Sequence, residues 1–275
     1  MPAFATINPD LSYWQKQTKP LFADLAWNLP ERKTGHLAII GGNQQSFSTP
    51  VRIAEQMTAN FPFQTITTVL PDVLERKIPV MANITFAPST ASGSFDKSPK
   101  LTALIRQADG CLIIGDLSRN SATTVALADA LKPDTAYQTN LAVIARDSVD
   151  LLTPEASRWL TRDNTIVIAS MLQLQKLFRA VYYPRMIMLT QPLLPVLETL
   201  HKFTLSYPTT LLTFHQEQII VASHGQVSTT HIVDTAYTPL SLWLGQLAGN
   251  VTALNFYNPG KPFEATTAAI LYRQS

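Results

Sequence analysis

The sequence is poor in glycine. Its 275 residues include 10 glycines against 19 prolines, so glycine has about half of its usual share of roughly 7%. Proteins that hold phosphate groups with backbone amides usually place glycines in the binding loops, because glycine permits close backbone approach and positive φ. The composition therefore argues against an elaborate nucleotide site.

Cysteine and long apolar runs are also scarce. The single cysteine, Cys111, excludes an intramolecular disulfide and a metal site of several cysteines, which fits a reducing compartment. No apolar run approaches the roughly 18 residues of a membrane span, and residues 1–10 lack the basic start and apolar core of a signal peptide. We expect a soluble, cytoplasmic protein.

Charge is low and unpatterned. Charged residues make up 15% of the chain and hydrophobic residues 46%, which predicts much buried surface. The net charge is +2 and the basic residues are scattered, so we expect no nucleic-acid partner. The five histidines show no metal-ligand spacing, and no Walker A lysine, Gly-x-Ser-x-Gly or HExxH motif occurs. We expect no metal site built from these residues.

Short apolar segments alternate with helical ones through the first three quarters of the chain. Each predicted strand is bounded by turn residues: His36–Ile40, Phe63–Leu70, Ile84–Phe86, Gly110–Ile114, Leu141–Ala145 and Thr165–Ala169. A helix is predicted after the first strand, with Thr49 as N-cap and Pro50 at the first helical position. Lys100–Gln107 and Ser121–Leu131 are also predicted helices. This alternation predicts βαβ units and a mostly parallel sheet.

The pattern changes near Thr209. Three β-rich segments follow at short intervals, and His224-Gly225 predicts a hairpin turn between the last two. The segments are Thr209–Phe214, Gln218–Ala222 and Gln226–His231. Leu240–Ala248 and Pro262–Tyr272 are predicted helices.

A helix interrupted by Pro20 is predicted for Leu11–Trp27. Residues 1–275 are therefore predicted to form one α/β domain, with residues 1–32 as a helical extension packed on it. Its sheet is predicted to be doubly wound and mostly parallel, flanked by helices, with a late antiparallel hairpin addition.

Several short motifs occur in a familiar order. They are Ile39-Ile40-Gly41-Gly42-Asn43 followed by Phe47-Ser48-Thr49-Pro50, Ala108-Asp109-Gly110 leading to Gly115, Asp147-Ser148-Val149-Asp150-Leu151-Leu152, and Pro262-Phe263-Glu264-Ala265. In order and spacing, over residues 33–273, the chain resembles the ribokinase-like superfamily. More narrowly, it is similar to the ADP/ATP-dependent NAD(P)H-hydrate dehydratases, which were once grouped with carbohydrate kinases.

The resemblance implies a ribokinase-like fold, a substrate pocket at the first strand–loop–helix, and a homo-oligomer. The substrate-binding candidates are Gly41, Gly42, Asn43, Phe47, Thr49, Asp116 and Asp147. Asp116 follows a buried strand, where α/β sheets bind ligands, but it could equally cap the following helix. Asp147 matches an acidic position of the family, and the alternative is a turn residue at a strand end.

The sequence differs from the family's pattern at the positions that carry out the family's chemistry. The family's anion hole and catalytic aspartate, Gly-Ser/Thr-Gly-Asp just before a helix, correspond to Val233–Leu240, which has no glycine. Side chains at residues 236–238 enter the space that backbone amides need, and Pro239 removes a donor. Asp234 is the candidate catalytic residue, but it lies about three positions early in this alignment, and a helix-cap or turn role is the alternative.

Other family positions are also replaced. The nucleotide-binding candidates by resemblance are His215, Thr235 and Thr238, with Phe214-His215 where the family has Lys-Gly. Val167–Gln173 lacks the prolines, histidine, glycine and carboxylate of the corresponding family stretch.

Three functions remain open from the sequence. The first is a dehydratase-like protein with a degenerate nucleotide and catalytic site, weakly active or inactive. The second is an active dehydratase with an unusual catalytic loop, which would use ADP or ATP with hydrated NAD(P)H, and Mg²⁺ as a further candidate cofactor. The third is a small-molecule kinase, which would need the same missing glycine and aspartate pattern.

Overall fold

The computed structural model describes residues 11–17, 29–78, 83–133, 140–235, 237–238, 240 and 244–272. Within them a ten-stranded sheet lies between two layers of helices. The strands are β1 Trp14–Gln17, β2 Thr34–Ile40, β3 Phe63–Pro71, β4 Ile84–Ala87, β5 Gly110–Ile114, β6 Leu141–Ala145, β7 Thr165–Ile168, β8 Thr209–His215, β9 Gln218–Ser223 and β10 Gln226–His231.

Eight α-helices lie in the described part of the chain. They are α1 Ser48–Asn60, α2 Pro99–Arg106, α3 Ser121–Leu131, α4 Asp147–Leu152, α5 Met171–Ala180, α6 Leu193–Ser206, α7 Gln246–Tyr257 and α8 Pro262–Leu271. None of these described helices is long and apolar enough to cross a membrane.

The strand order is β1-β10-β9-β8-β7-β6-β5-β2-β3-β4. Only β9 runs antiparallel to its neighbours among the described strands; the other pairs are parallel. This confirms the predicted doubly wound, mostly parallel sheet with a late antiparallel hairpin. Strands β3 and β4 are added on one side of β2. Strand β5 pairs with the other side of β2, and the strands that follow it continue in that opposite direction. The boundary between β2 and β5 is therefore the topological switch point.

Two cores cover the two faces of the sheet. Side chains alternate along each strand: Cys111 and Ile113 of β5 join the core under α3, α5 and α6, whereas Leu112 and Ile114 join the core under α1, α7 and α8. Burial raises the pKa of the Cys111 thiol to about 11, so the thiol stays protonated at neutral pH and acts as a small core side chain.

The most regular predictions are confirmed residue by residue. The predicted bounds of β5, β6, β10 and α3 agree with those observed. In the hairpin turn, His224 and Gly225 both have positive φ, 48° and 78°, as a type I′ turn requires.

The prediction of a helix over Leu11–Trp27 is wrong where the chain is described. Trp14–Gln17 forms a strand parallel to β10, and the Trp14 indole Nε1 donates to Thr229 Oγ1 at 3.0 Å. Pairing with a strand that is distant in sequence overrides the local helical pattern. The rest of the predicted extension, residues 1–10 and 18–28, lies outside the described residues.

Two helix starts also differ from the prediction. Helix α1 begins at Ser48 with Phe47 as N-cap, so Thr49 lies inside the first turn. The helix predicted over Leu240–Ala248 is not continuous: Gly245 has a left-handed backbone with φ of 83°, and α7 starts after it at Gln246. Leu240 itself is helical, as predicted, and its carbonyl accepts from Leu244 N at 2.8 Å, whereas residues 241–243 lie outside the described residues.

The aromatic cluster under α6 gives a test of the first core. Phe203 is fully buried and its ring lies 4.3 Å from that of Phe178 and 4.7 Å from that of Tyr207. We expect Phe203→Ala to lower the free energy of unfolding by about 3–5 kcal/mol in urea denaturation. Leu205→Ala, on the same helix but 64% exposed, should change it by less than about 0.5 kcal/mol. Similar losses in both variants would contradict this packing.

Candidate functional site

The turns that follow β2 and β5 touch at the switch point. Gly42 N donates to the Gly115 carbonyl at 3.1 Å. A Cβ atom at Gly41 would lie 2.3 Å from the Ile114 carbonyl oxygen, so no side chain fits there. The Gly41-Gly42 pair therefore allows the close approach of the two turns.

Asp116, directly after this contact, joins the β5 turn to α1. Its Oδ2 accepts from Thr49 N at 2.9 Å, and its main-chain carbonyl accepts from Asn43 Nδ2. Helix α1 has no capping side chain of its own, so this carboxylate supplies the acceptor that the helix N-terminus needs. The alternative that Asp116 caps the following helix is wrong, because Asn120 caps α3.

Arg146, directly after β6, also contacts Thr49 of α1. This residue was not predicted from the sequence. Its Nη1 donates to Thr49 Oγ1 at 2.7 Å. Its backbone, with φ of 62° and ψ of −137°, is strained for a residue with a Cβ. The buried Nε has no hydrogen-bond partner among the described residues. The available signal was an arginine directly after a fully apolar strand, at the edge where ligands bind.

Asp147 begins α4 beside Arg146. Its Oδ2 accepts from Leu117 N at 2.8 Å, whereas its buried Oδ1 has no partner in the described part of the chain. Burial raises the pKa of the Asp147 carboxyl; the Leu117 amide and the Arg146 charge oppose that shift. We call Asn43, Thr49, Asp116, Arg146 and Asp147 the switch-point cluster.

One residue outside this cluster, Gln173, holds the main chain of Arg146 in place. The Gln173 amide Nε2 donates to the Arg146 carbonyl at 2.7 Å and to Asp150 Oδ2 at 2.9 Å. Gln173 is almost fully buried and also forms a capping box with Ser170 at the start of α5. Sequence reasoning noted only that Gln173 stands where the family has a carboxylate.

The N-terminus of α7 lies above Arg146. A Cβ atom at Gly245 would lie 2.7 Å from Ile114 Cδ1 and 3.4 Å from Arg146 Cδ. Arg52 Nη2 of α1 donates to the Leu244 carbonyl at 3.0 Å and so fixes the turn before α7. The helix start places partial positive charge beside the guanidinium.

Phe47 is separate from the cluster's polar groups. It packs against the small apolar core of Leu70, Leu74 and Ile78. Its proposed ligand contact remains a prediction.

The structure does not join Asp234 to the switch-point cluster. Asp234 is exposed in a 3₁₀ turn after β10, and no hydrogen bond or ion pair among the described residues connects it to the cluster. Strand β10 lies four places from β6 in the sheet, about 19 Å at the usual strand spacing. The cap of that turn is His231, whose side chain accepts from Val233 N.

The candidate nucleotide residues lie towards the β8–β10 end of the same edge. His215 is buried at the end of β8, with Nε2 at 2.8 Å from the Gln191 carbonyl. Thr235 Oγ1 donates to the Ile232 carbonyl at 2.8 Å, and Thr238 is exposed. The structure thus places His215 and Thr235 apart from the switch-point cluster.

Tyr237 packs into the core under α1, α7 and α8. It is 9% exposed, and Asn250 Nδ2 of α7 donates to its phenol oxygen at 2.5 Å. Burial raises the pKa of Tyr237 to about 12, so the phenol stays neutral. Among the described residues, no group of three or more His, Cys, Asp or Glu could hold a metal ion.

Solved structures resemble the chain in fold. A ribokinase-like superfamily protein from Enterococcus faecalis superposes with a TM-score of 0.63 at 15% identity, covering 95% of this chain and 87% of that chain. A hypothetical protein from Streptococcus mutans gives 0.62 at 16%, covering 92% and 87%. The ADP/ATP-dependent NAD(P)H-hydrate dehydratase from Bacillus subtilis gives 0.54 at 13%, covering 88% and 82%.

The chain therefore has the ribokinase-like fold. No family model and no curated protein matches its sequence. At these identities the likeness shows the fold alone.

The capping role of Asp116 is testable by stability. Asp116→Ala removes the acceptor for Thr49 N–H and places alanine at φ of 57°, so we expect a loss of about 1–3 kcal/mol in the free energy of unfolding. Asp116→Asn keeps an acceptor and tolerates positive φ, so its loss should stay below about 1 kcal/mol. Equal losses in urea denaturation would contradict this role.

The burial of Asp147 predicts a pH dependence. Because its pKa is raised in the folded state, the protonated carboxyl stabilises the fold below the unfolded pKa of about 4, and this contribution is lost as pH rises through the folded pKa. Asp147→Asn cannot titrate but keeps an oxygen for Leu117 N–H. We expect the free energy of unfolding of the wild type minus that of the variant to decrease from about pH 4 to pH 7. A constant or increasing difference would refute the assignment.

Proposed function

We propose that the chain is a ribokinase-like protein of NAD(P)H-hydrate dehydratase type whose nucleotide and catalytic site is degenerate. One observation carries the proposal: no acidic residue occurs from Thr235 to Phe263, which includes the whole approach to α7. The resemblance places the family's catalytic aspartate just before a helix. Helix α7 is preceded by Leu244-Gly245, so it has no carboxylate at its start to handle a proton.

The surroundings of α7 support the same conclusion. Gly245 is the one glycine between Gly225 and Gly249, and its positive φ is used to pass over Ile114 and Arg146. An anion hole needs successive backbone amides that a ligand can approach closely. Gly245 lies beside the Arg146 side chain, so a ligand here would meet the positive end of one helix. It would not meet the several accessible backbone amides that a glycine-rich loop presents.

The switch-point cluster supports retained binding of a small molecule rather than nucleotide chemistry. Asp116 and Asp147 each use one carboxylate oxygen on a backbone amide. The unpartnered Arg146 Nε and Asp147 Oδ1 give one donor and one acceptor at the position where open α/β sheets bind ligands. Self-association and a cytoplasmic location stay predictions from the sequence.

One observation favours the alternative, an active dehydratase. Asp147 has a raised pKa and a free Oδ1, and a buried carboxyl of this kind can act as a general acid or base. The Bacillus subtilis neighbour is a dehydratase co-crystallised with ATP and Mg²⁺, which supports these as the cofactors that such an enzyme would use. In this alternative, Asp147 acts as the general acid or base in place of the family's catalytic aspartate.

The decisive test is an assay of NADPH-hydrate conversion with ADP or ATP and Mg²⁺. We expect no conversion above the rate without protein, because no carboxylate lies at the start of α7. Nucleotide-dependent recovery of NADPH absorbance would contradict the proposal.

The variants assign any such activity. Loss of conversion in Asp147→Asn but not in Asp234→Asn would assign the chemistry to the switch-point cluster. The reverse would assign it to the exposed turn after β10.

A further inference from the structure

A cavity lies at the amino ends of the central strands, opposite the switch-point cluster. It has a volume of about 330 Å³ and is enclosed by the first residues of β2 and β6, the residues that precede β5 and β7, and the end of α7. The switch-point cluster lies at the other ends of β2, β5 and β6, about 16 Å away along a five-residue strand. No residue of that cluster lines the cavity.

One wall of the cavity is the ring of Phe256, which packs against Gly35 and Gly110. A Cβ atom at Gly35 would lie 2.4 Å from the ring of Phe256, and one at Gly110 would lie 3.0 Å from it. Glycines on two adjacent strands therefore leave space for the phenyl ring, and φ at Gly35 is 78°. The remaining apolar lining is Leu141, Ile166, Pro259 and Pro262.

A buried amide in the lining has an unused acceptor. Asn255 is 3% exposed, and its Nδ2 donates to the Val251 carbonyl at 2.8 Å and to Thr266 Oγ1 at 3.0 Å. These two bonds fix the orientation of the amide. Its Oδ1 has no hydrogen-bond donor among the described residues. Asn255 lines the cavity, so this oxygen can accept a hydrogen bond from a ligand there.

The rim of the cavity offers a second acceptor. Asp109 Oδ2 accepts from His36 N at 2.8 Å, and Asp109 N donates to the His36 carbonyl at 3.0 Å. These two bonds hold Asp109 against β2. Its Oδ1 has no donor in the described part of the chain. Acceptors at both the floor and the rim are complementary to a molecule that donates hydrogen bonds.

We propose that this cavity binds a small aromatic molecule that carries N–H donors, an aromatic amine or amidine. The ring packs against Phe256 and the aliphatic lining, one N–H donates to Asn255 Oδ1, and another donates to Asp109. The volume lies at the small end of the range for ligand pockets, roughly 300–1,000 Å³, which limits the ligand to about one or two rings. The proposal is independent of what the switch-point cluster binds.

Benzamidine and benzoate form a matched pair of probes, because they share a ring and a planar head group and differ in whether that group donates or accepts. We expect benzamidine to bind with a dissociation constant on the order of 1 mM in calorimetric titration of the full chain, as suits a ligand of this size. Benzoate should show no saturable binding. A crystal soaked with benzamidine should show it against Phe256.

Two charge variants test the rim contact. Asp109→Asn keeps an oxygen for His36 N–H but removes the charge, and we expect it to weaken benzamidine binding about tenfold or more. Glu31→Gln removes an equal charge from the exposed segment before β2, outside the cavity lining, and should change binding less than about twofold. Absent benzamidine binding, equal binding of benzoate, equal effects of the two variants, or a soaked ligand seated elsewhere would each overturn the proposal.

Discussion

The carboxyl edge of the sheet depends on the contact between the first turn of α1 and the turns after β5 and β6. Thr49 is the common partner: its amide donates to the Asp116 carboxylate and its hydroxyl accepts from the Arg146 guanidinium. These two charge-assisted hydrogen bonds join three chain segments that are far apart in sequence. A Cβ at Gly115 would lie 2.6 Å from Thr49 Cγ2, so the turn after β5 must be glycine for Thr49 to sit there.

This contact also limits what the edge can do. In a nucleotide-using member of this fold, glycine-rich turns present free amides to a ligand. Here the amides of the corresponding turns donate hydrogen bonds within the protein: Gly42 N to the Gly115 carbonyl, Thr49 N to Asp116 and Leu117 N to Asp147. The groups left over are an arginine nitrogen and a carboxylate oxygen, both buried. We therefore propose that this site binds a small polar molecule that satisfies both groups rather than a triphosphate, which needs many exposed donors.

The sheet could be predicted from the sequence because its strands are short apolar runs between strong turn residues. The bounds of β5 and β6 follow from local pattern, and so does the turn at His224-Gly225. The strand at Trp14–Gln17 could not be predicted, because its pairing with β10 is a contact across 213 residues (Trp14 to Val227) and its local pattern is helical. Asp116 was expected at the site, but its partner on α1 is a matter of tertiary packing. Arg146 was missed because no motif marks an arginine whose role comes from a strained backbone and from Gly245 above it.

We propose that the ribokinase-like scaffold persists here without nucleotide use. Calorimetric titration of the full chain with ADP and with ATP, each in the presence of Mg²⁺, tests it most directly. We expect no saturable heat up to a nucleotide concentration on the order of 1 mM. A dissociation constant of that size corresponds to a binding free energy of about −4 kcal/mol. Saturable binding of either nucleotide well below that concentration would contradict it.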